Sequence, residues 1–205
     1  MKRAWVELIL VSLTGAGHLV FDTALKLRAC YITAVVIGWA AYVVWRLREP
    51  GQARDWGMRL DTIRPAAAAN GVFLLVAGLL MVGYGLLRGR PAPSAGFFYL
   101  MALYPAWGLI QQLLLCPLIY SNLERLSRNR AASTLIGAAL FGLVHVPDWS
   151  LAVLTTTAAV VWIAFYQRWP SLWAQAVSHG WLGALVYHYV LGRNPWAELL
   201  QSLGW

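Results

Sequence analysis

The sequence predicts an all-α fold, a polytopic bundle of about seven membrane-spanning helices. Of the 205 residues, 60% are hydrophobic and only 12% are charged, whereas about a quarter of the residues in a typical soluble domain are charged. The mean hydropathy is +0.60, and several uncharged runs approach the ~20 residues that a helix needs to cross a bilayer core. No polar stretch is long enough to fold separately, so we expect one membrane domain over residues 1–205.

Seven apolar runs define the predicted spans. The first could be mistaken for a secretory signal, but Glu7 interrupts it, no convincing small-x-small cleavage site follows and more spans come after it, so we expect a retained helix. The fourth run is long and contains Pro105 and Pro117, which predicts a kinked or tilted helix. The amphipathic tail, residues 193–205, is expected to lie at the membrane interface. The predicted spans are residues 4–25, 29–46, 67–87, 96–122, 132–147, 149–167 and 170–192.

The charge pattern predicts an orientation in the membrane. With the N-terminus inside, eleven of the 16 Lys and Arg residues fall in inner segments and five in outer ones, which is the bias of the positive-inside rule. We therefore expect a multi-pass protein of a bacterial inner membrane with a cytoplasmic N-terminus. The net charge of +8 does not indicate nucleic-acid binding, because the basic residues are scattered through short loops rather than gathered on one face.

Five polar side chains fall at membrane depth and are candidate site residues. A polar group inside a span is costly unless it faces the bundle interior and finds a partner. At 1.5 Å per residue, Gln111 lies about 16 Å from the inner end of its span, with Gln112 beside it. His145, His179 and His18 lie roughly 20, 14 and 21 Å deep. We expect these groups to meet in one layer near mid-membrane. The two glutamines point ~100° apart, so we expect only one to face the site.

Three motifs in the second half of the chain occur in a characteristic order. They are Gln111-Gln112-Leu-Leu-Leu-Cys116, Phe141-Gly-Leu-Val-His145 and His179-Gly-Trp-Leu-Gly183. In these motifs residues 96–192, spans 4 to 7, resemble the CAAX protease and bacteriocin-processing (CPBP) family of intramembrane proteases. That family carries Glu-Glu-x-x-x-Arg, Phe-x-x-x-His and His-x-x-x-Asn motifs. The resemblance implies a CPBP-like helical core after the N-terminal spans of residues 1–95.

The departures from the family pattern change the residues that would carry out catalysis. The resemblance implies that a glutamate activates water while the histidines hold a metal or stabilise an oxyanion. Here Gln111 and Gln112 replace the glutamates, and an amide has no basic site near neutral pH. Cys116 replaces the arginine, which would cost several kcal/mol as an unpaired buried cation once the carboxylates are gone. Gly183 replaces the asparagine. The first two changes therefore indicate a coordinated neutralisation.

The sequence leaves open whether the chain binds a metal. Two histidines and a carboxylate suit Zn²⁺ with an open water position, and His145, His179 and Asp148 are the candidate ligands. Asp148 follows Pro147 and fits equally well as the N-cap of the next helix. If a base survives, Asp148, His18 and Asp22 are the candidates to supply it.

Three hypotheses follow from the motifs. The chain is a divergent intramembrane metalloprotease acting on a membrane peptide or a prenylated or otherwise lipidated substrate. Alternatively it is a pseudoprotease that binds such a substrate, with its polar layer held by Gln–His hydrogen bonds. In the third hypothesis it modifies a lipid or isoprenoid on the same scaffold, because a fold does not fix a function.

Overall fold

The computed structural model describes residues 1–25 and 27–197, without the side chains of residues 22–24, 28 and 29. All regular secondary structure in these ranges is helical, which confirms the predicted all-α class. Three π-helical segments, Leu19–Ala24, Leu114–Tyr120 and Val186–Leu191, continue α1, α5 and α9. The helices are α1 (Lys2–His18), α2 (Arg28–Arg46), α3 (Gln52–Asp55), α4 (Ile63–Leu87), α5 (Ala95–Leu113), α6 (Ser121–Ser127), α7 (Arg130–Leu143), α8 (Trp149–Arg168) and α9 (Leu172–Leu185).

Four of the described helical stretches are long and apolar enough to cross a membrane. Two shorter apolar helices, Cys30–Arg46 and Arg130–Leu143, coincide with two further predicted spans. The predicted seventh span corresponds to α9 and its π-helical continuation. This segment is neither one of the four long stretches nor one of the two shorter apolar helices. The count of seven therefore stays a prediction. The four long stretches are Lys2–Phe21, Ile63–Leu87, Ala95–Ser127 and Trp149–Arg168.

Proline marks the place where the fourth predicted span changes its helical geometry. The helical stretch runs for 33 residues, Ala95–Ser127, and widens from α to π at Leu114–Tyr120. Pro117 lies inside this π-helical segment. Because proline has no N–H to donate and its ring crowds the preceding turn, it disturbs a regular α-helix. The irregularity that the prolines predict thus occurs as a π-helical turn at Pro117.

The described chain forms two compact units. Unit 1 comprises Met1–Arg59 and Leu113–Pro170, and unit 2 comprises Leu60–Gln112 and Ser171–Trp205. Residue 26 and residues 198–205, which include most of the predicted interfacial tail, lie outside the described residues.

Unit 1 is organised around a buried carboxylate on α1. Glu7 is only 3% exposed and accepts hydrogen bonds from the Tyr42 hydroxyl and, at 2.6 Å, from the Asn122 side-chain nitrogen. The Nε atom of Arg46 lies 3.4 Å from the same carboxylate. A buried charge must be paired and hydrogen-bonded to be tolerated, and these contacts supply both conditions. Glu7 therefore joins α1 to α2 and α6.

Arg46 extends this network toward the loop after α2. Its guanidinium pairs with Glu49, which accepts a second hydrogen bond from Arg3 at 2.9 Å. It also lies over the Trp56 ring, 5.4 Å from the centroid, an arrangement that adds cation–π attraction. The hydrogen bond from Arg46 lowers the pKa of the Glu49 carboxyl below its usual 4.5. The stability that this shift contributes is present above the unfolded-state pKa and is lost as the pH falls through the lowered folded-state value.

We expect Glu7→Ala to destabilise unit 1 by about 3 kcal/mol, since it leaves Asn122 and the Nε atom of Arg46 buried without the Glu7 carboxylate, while Glu49 still pairs with the Arg46 guanidinium. Glu49→Gln removes a charge from the exposed side of the same network and should cost much less. Unfolding titrations in detergent, followed by tryptophan fluorescence, measure both. Equal losses for the two variants would show that Glu7 does not organise this unit.

Candidate functional site

The candidate site in unit 2 depends on a close approach between α5 and α9. A Cβ added to Gly180 would lie 2.5 Å from the backbone nitrogen of Pro105, and one added to Gly108 would lie 2.6 Å from the carbonyl oxygen of Ala176. Only glycine fits at such distances, so the two backbones are in direct contact here. Small residues commonly allow this approach between membrane helices.

This close approach brings Gln112 against His179. Gln112 lies one helical turn after Gly108, and His179 directly precedes Gly180. The Gln112 side-chain nitrogen is 2.9 Å from His179 Nδ1. Gln112 is fully buried and His179 is 8% exposed, so the contact lies in a low-dielectric environment where hydrogen bonds are electrostatically strong. The first and third motifs thus meet through a neutral amide–imidazole pair.

The adjacent amide has a different environment. Gln111 is partly buried, whereas Gln112 has no exposed surface. Neighbouring positions on an α-helix differ by ~100°, so the two side chains leave α5 in different directions. The structure therefore places Gln112, rather than Gln111, at the α5–α9 contact.

His145 belongs to unit 1 and lies in the turn that follows α7. Its Nδ1 is 3.2 Å from the carbonyl oxygen of Phe141 and 3.4 Å from the hydroxyl of Thr155. The Phe141 and His145 rings meet edge to face, with centroids 5.8 Å apart. The two named residues of the second motif are therefore in contact. The predicted common layer of all the polar groups stays a prediction.

Asp148 caps the N-terminus of α8. Its Oδ1 accepts a hydrogen bond from the Leu151 backbone nitrogen at 3.1 Å, which satisfies one of the N–H groups left open at a helix start. The N-cap, one of the two predicted alternatives for this residue, is thus observed. Among the side chains that the structure describes, no three of His, Cys, Asp or Glu are grouped as a metal site. Zinc ligation by His145, His179 and Asp148 stays a prediction.

The remaining motif positions are also located. Cys116 is fully buried in the π-helical segment. A Cβ added to Gly183 would lie 3.6 Å from the Tyr104 ring, an ordinary contact distance, so this position has room for a Cβ. His18 ends α1, with its ring 6.5 Å from that of Tyr31. The side chain of Asp22, another candidate base, lies outside the described residues.

Sequence reasoning missed a second polar cluster, which surrounds a small cavity in unit 1. The cavity has a volume of about 180 Å³. Glu124 accepts hydrogen bonds at 2.8 Å from both the Tyr120 hydroxyl and Arg130 Nε. The i,i+4 spacing of Tyr120 and Glu124 was the only available signal, and it is common on helix surfaces. The polar lining includes Asp55, Tyr120, Ser121, Glu124, Arg130 and Tyr166.

No protein-family model, curated protein or solved structure matches this chain. The resemblance to the CPBP family therefore rests on the three motifs alone.

We expect Gly180→Ala to destabilise the α5–α9 contact by about 1–3 kcal/mol, because the added methyl group would overlap backbone atoms of α5. It should also disturb the Gln112–His179 hydrogen bond. Gly183→Ala, three residues along the same helix, is the matched control and should change stability by less than about 0.5 kcal/mol. Thermal unfolding in detergent distinguishes them. If the two variants had the same midpoint, the close approach at Gly180 would be wrong.

Proposed function

We propose that this chain is a multi-pass membrane protein on a CPBP-type scaffold that binds a membrane peptide, or a prenylated or otherwise lipidated chain, without hydrolysing it. The observation that carries the proposal is the buried hydrogen bond from the Gln112 amide to His179. In this alignment the amide occupies the second glutamate position of the family motif.

The chemistry of the amide argues against general-base hydrolysis at this position. A carboxylate accepts a proton from water, whereas the nitrogen of a glutamine amide only donates hydrogen bonds and its oxygen is a very weak base. Loss of a general base typically lowers a rate by about 10²–10⁴-fold. Gln112 keeps the hydrogen-bonding position beside His179 and gives up the proton transfer. This is the Gln–His contact expected of a pseudoprotease.

The other substitutions support the same proposal. Cys116 is fully buried, and an arginine there would need a carboxylate partner to offset its desolvation. Gly183 has space for a Cβ, so crowding does not explain the missing asparagine side chain. The changes at these positions are those expected when a charged catalytic constellation becomes neutral.

The membrane arrangement is part of the proposal. Four apolar helices of sufficient length support a membrane location. We propose seven spans with the N-terminus inside, because eleven of 16 basic residues then fall on the inner side, as the positive-inside rule requires.

Zinc-dependent hydrolysis is the second candidate, and the geometry of His145 favours it. A metal-ligating histidine usually directs its other ring nitrogen to a carbonyl or carboxylate, and His145 Nδ1 faces the Phe141 carbonyl in this way. Asp148, three residues along the chain, would supply a carboxylate. In this candidate the water on the metal would replace the lost base.

A binding and cleavage assay separates the proposals. The purified chain is reconstituted in phosphatidylcholine vesicles with a synthetic farnesylated peptide that carries a photoreactive group. We expect the wild type to crosslink to the peptide and to release no cleavage product. A restored variant with Gln111→Glu, Gln112→Glu, Cys116→Arg and Gly183→Asn should gain cleavage, because it regains the base and its ion-pair partner.

The same reconstituted samples provide the controls and the results that would contradict the proposal. His145→Ala in the restored variant should abolish the gained cleavage. Stoichiometric zinc in the wild type, lost together with peptide cleavage on His145→Ala, would replace the proposal with the zinc protease. A mass change in the vesicle lipids, with the peptide intact, would indicate lipid modification instead. Absence of crosslinking would remove the binding function.

A further inference from the structure

The two motif histidines have different hydrogen-bond partners on the same ring nitrogen. A neutral imidazole has one nitrogen that donates and one that accepts, and the partner of one nitrogen decides the role of the other. In His179 the partner of Nδ1 is an amide nitrogen, and in His145 it is a carbonyl oxygen. These partners have opposite hydrogen-bonding character.

In His179 the amide assigns the hydrogen to Nε2. The side-chain nitrogen of Gln112 carries two hydrogens and no available lone pair, so it donates to Nδ1. Nδ1 must then accept, and a neutral ring places its hydrogen on Nε2. Such a nitrogen donates hydrogen bonds and has no lone pair for a metal ion.

In His145 the backbone assigns the hydrogen to Nδ1. The Phe141 carbonyl can only accept, so Nδ1 donates to it. The Thr155 hydroxyl, 3.4 Å from the same nitrogen, donates its hydrogen to backbone carbonyls of α8, including that of Leu151 at 2.8 Å, and so presents lone pairs to the ring. Both neighbours thus require a hydrogen on Nδ1, and Nε2 keeps its lone pair.

We infer that the two histidines are held in opposite tautomers, His145 as an acceptor through Nε2 and His179 as a donor through Nε2. His179 is accordingly not presented as a zinc ligand through Nε2. This assignment does not depend on the proposed function. It disagrees with a metal site in which both histidines contribute Nε2.

Gln112 is the positioning residue in this assignment. A carboxylate at the same place would accept from Nδ1 and would therefore move the hydrogen of His179 away from Nε2, as carboxylate–histidine pairs do in metal sites. The substitution of the family glutamate by Gln112 thus changes the role of His179 as well as removing a base. A single hydrogen bond thus sets the donor and acceptor roles of the His179 ring.

Nitrogen NMR tests the inference directly. The full chain, labelled with ¹⁵N-histidine, is reconstituted in phosphatidylcholine vesicles at pH 8, above the ordinary histidine pKa of about 6.5. His145→Gln and His179→Gln assign the resonances by difference. We expect His179 to show a protonated Nε2 and an unprotonated Nδ1, and His145 to show the reverse. Gln112→Glu should place a hydrogen on Nδ1 of His179. Gln111→Glu is the charge-matched control, and it should leave both tautomers unchanged.

Several results would overturn the inference. One is a hydrogen on His179 Nδ1 in the wild type, which would mean that the amide is turned round. A second is the same tautomer, or a doubly protonated ring, at both histidines. A third is a shift of the His179 Nε2 resonance when zinc chloride alone is added to the wild type. Each ring is assigned by its own substitution, so one folded variant is enough to decide the tautomer of that histidine in the wild-type spectrum. Peptide cleavage with the tautomers as assigned would contradict the proposed function and leave this inference standing.

Discussion

The cost of placing polar side chains in a water-poor interior is the constraint on which the arrangement of both units depends. In such an environment an unpartnered polar group costs several kcal/mol, and an unpartnered charge costs more. Unit 1 meets the constraint with charges, because Glu7 is surrounded by Arg46, Tyr42 and Asn122. Unit 2 meets it at Gln112 and His179 with a neutral pair. The two solutions have different chemical consequences.

A neutral pair is inexpensive to bury but has little reactivity. The Gln112–His179 contact avoids the desolvation of an ion, and for the same reason it offers no strong base. The pair still fixes the hydrogen-bonding roles of the imidazole, because the amide decides which ring nitrogen donates and which accepts. Such a site is better suited to recognition than to proton transfer. The direct backbone contact at Gly108 and Gly180 is what allows two short polar side chains to meet there.

The sequence predicted the helical class and the capping alternative for Asp148, because each follows from local composition or spacing. It predicted six of the apolar segments for the same reason. A Gln–His hydrogen bond was expected only under the pseudoprotease hypothesis, since Gln112 and His179 are 67 residues apart. The environment of Glu7 could not be predicted, since Asn122 is 115 residues away along the chain and no periodic pattern links them. The cavity beside Glu124 was missed because its lining comes from several elements. Gln112, and not the adjacent Gln111, reaches His179 because α5 and α9 touch at Gly108 and Gly180. The periodicity of the sequence does not show where two helices touch.

The separation of Glu7 from its partners has a consequence for biogenesis. Helix α1 is synthesised before α2 and α6, and it carries a carboxylate that has no partner on its own helix among the contacts described. Tyr42 follows 35 residues later and Asn122 follows 115 residues later. At about 5–20 residues per second, the second interval corresponds to roughly 6–23 s of synthesis. During that interval the Glu7 carboxylate has to be accommodated without Asn122, so the order of translation bears on how unit 1 is assembled.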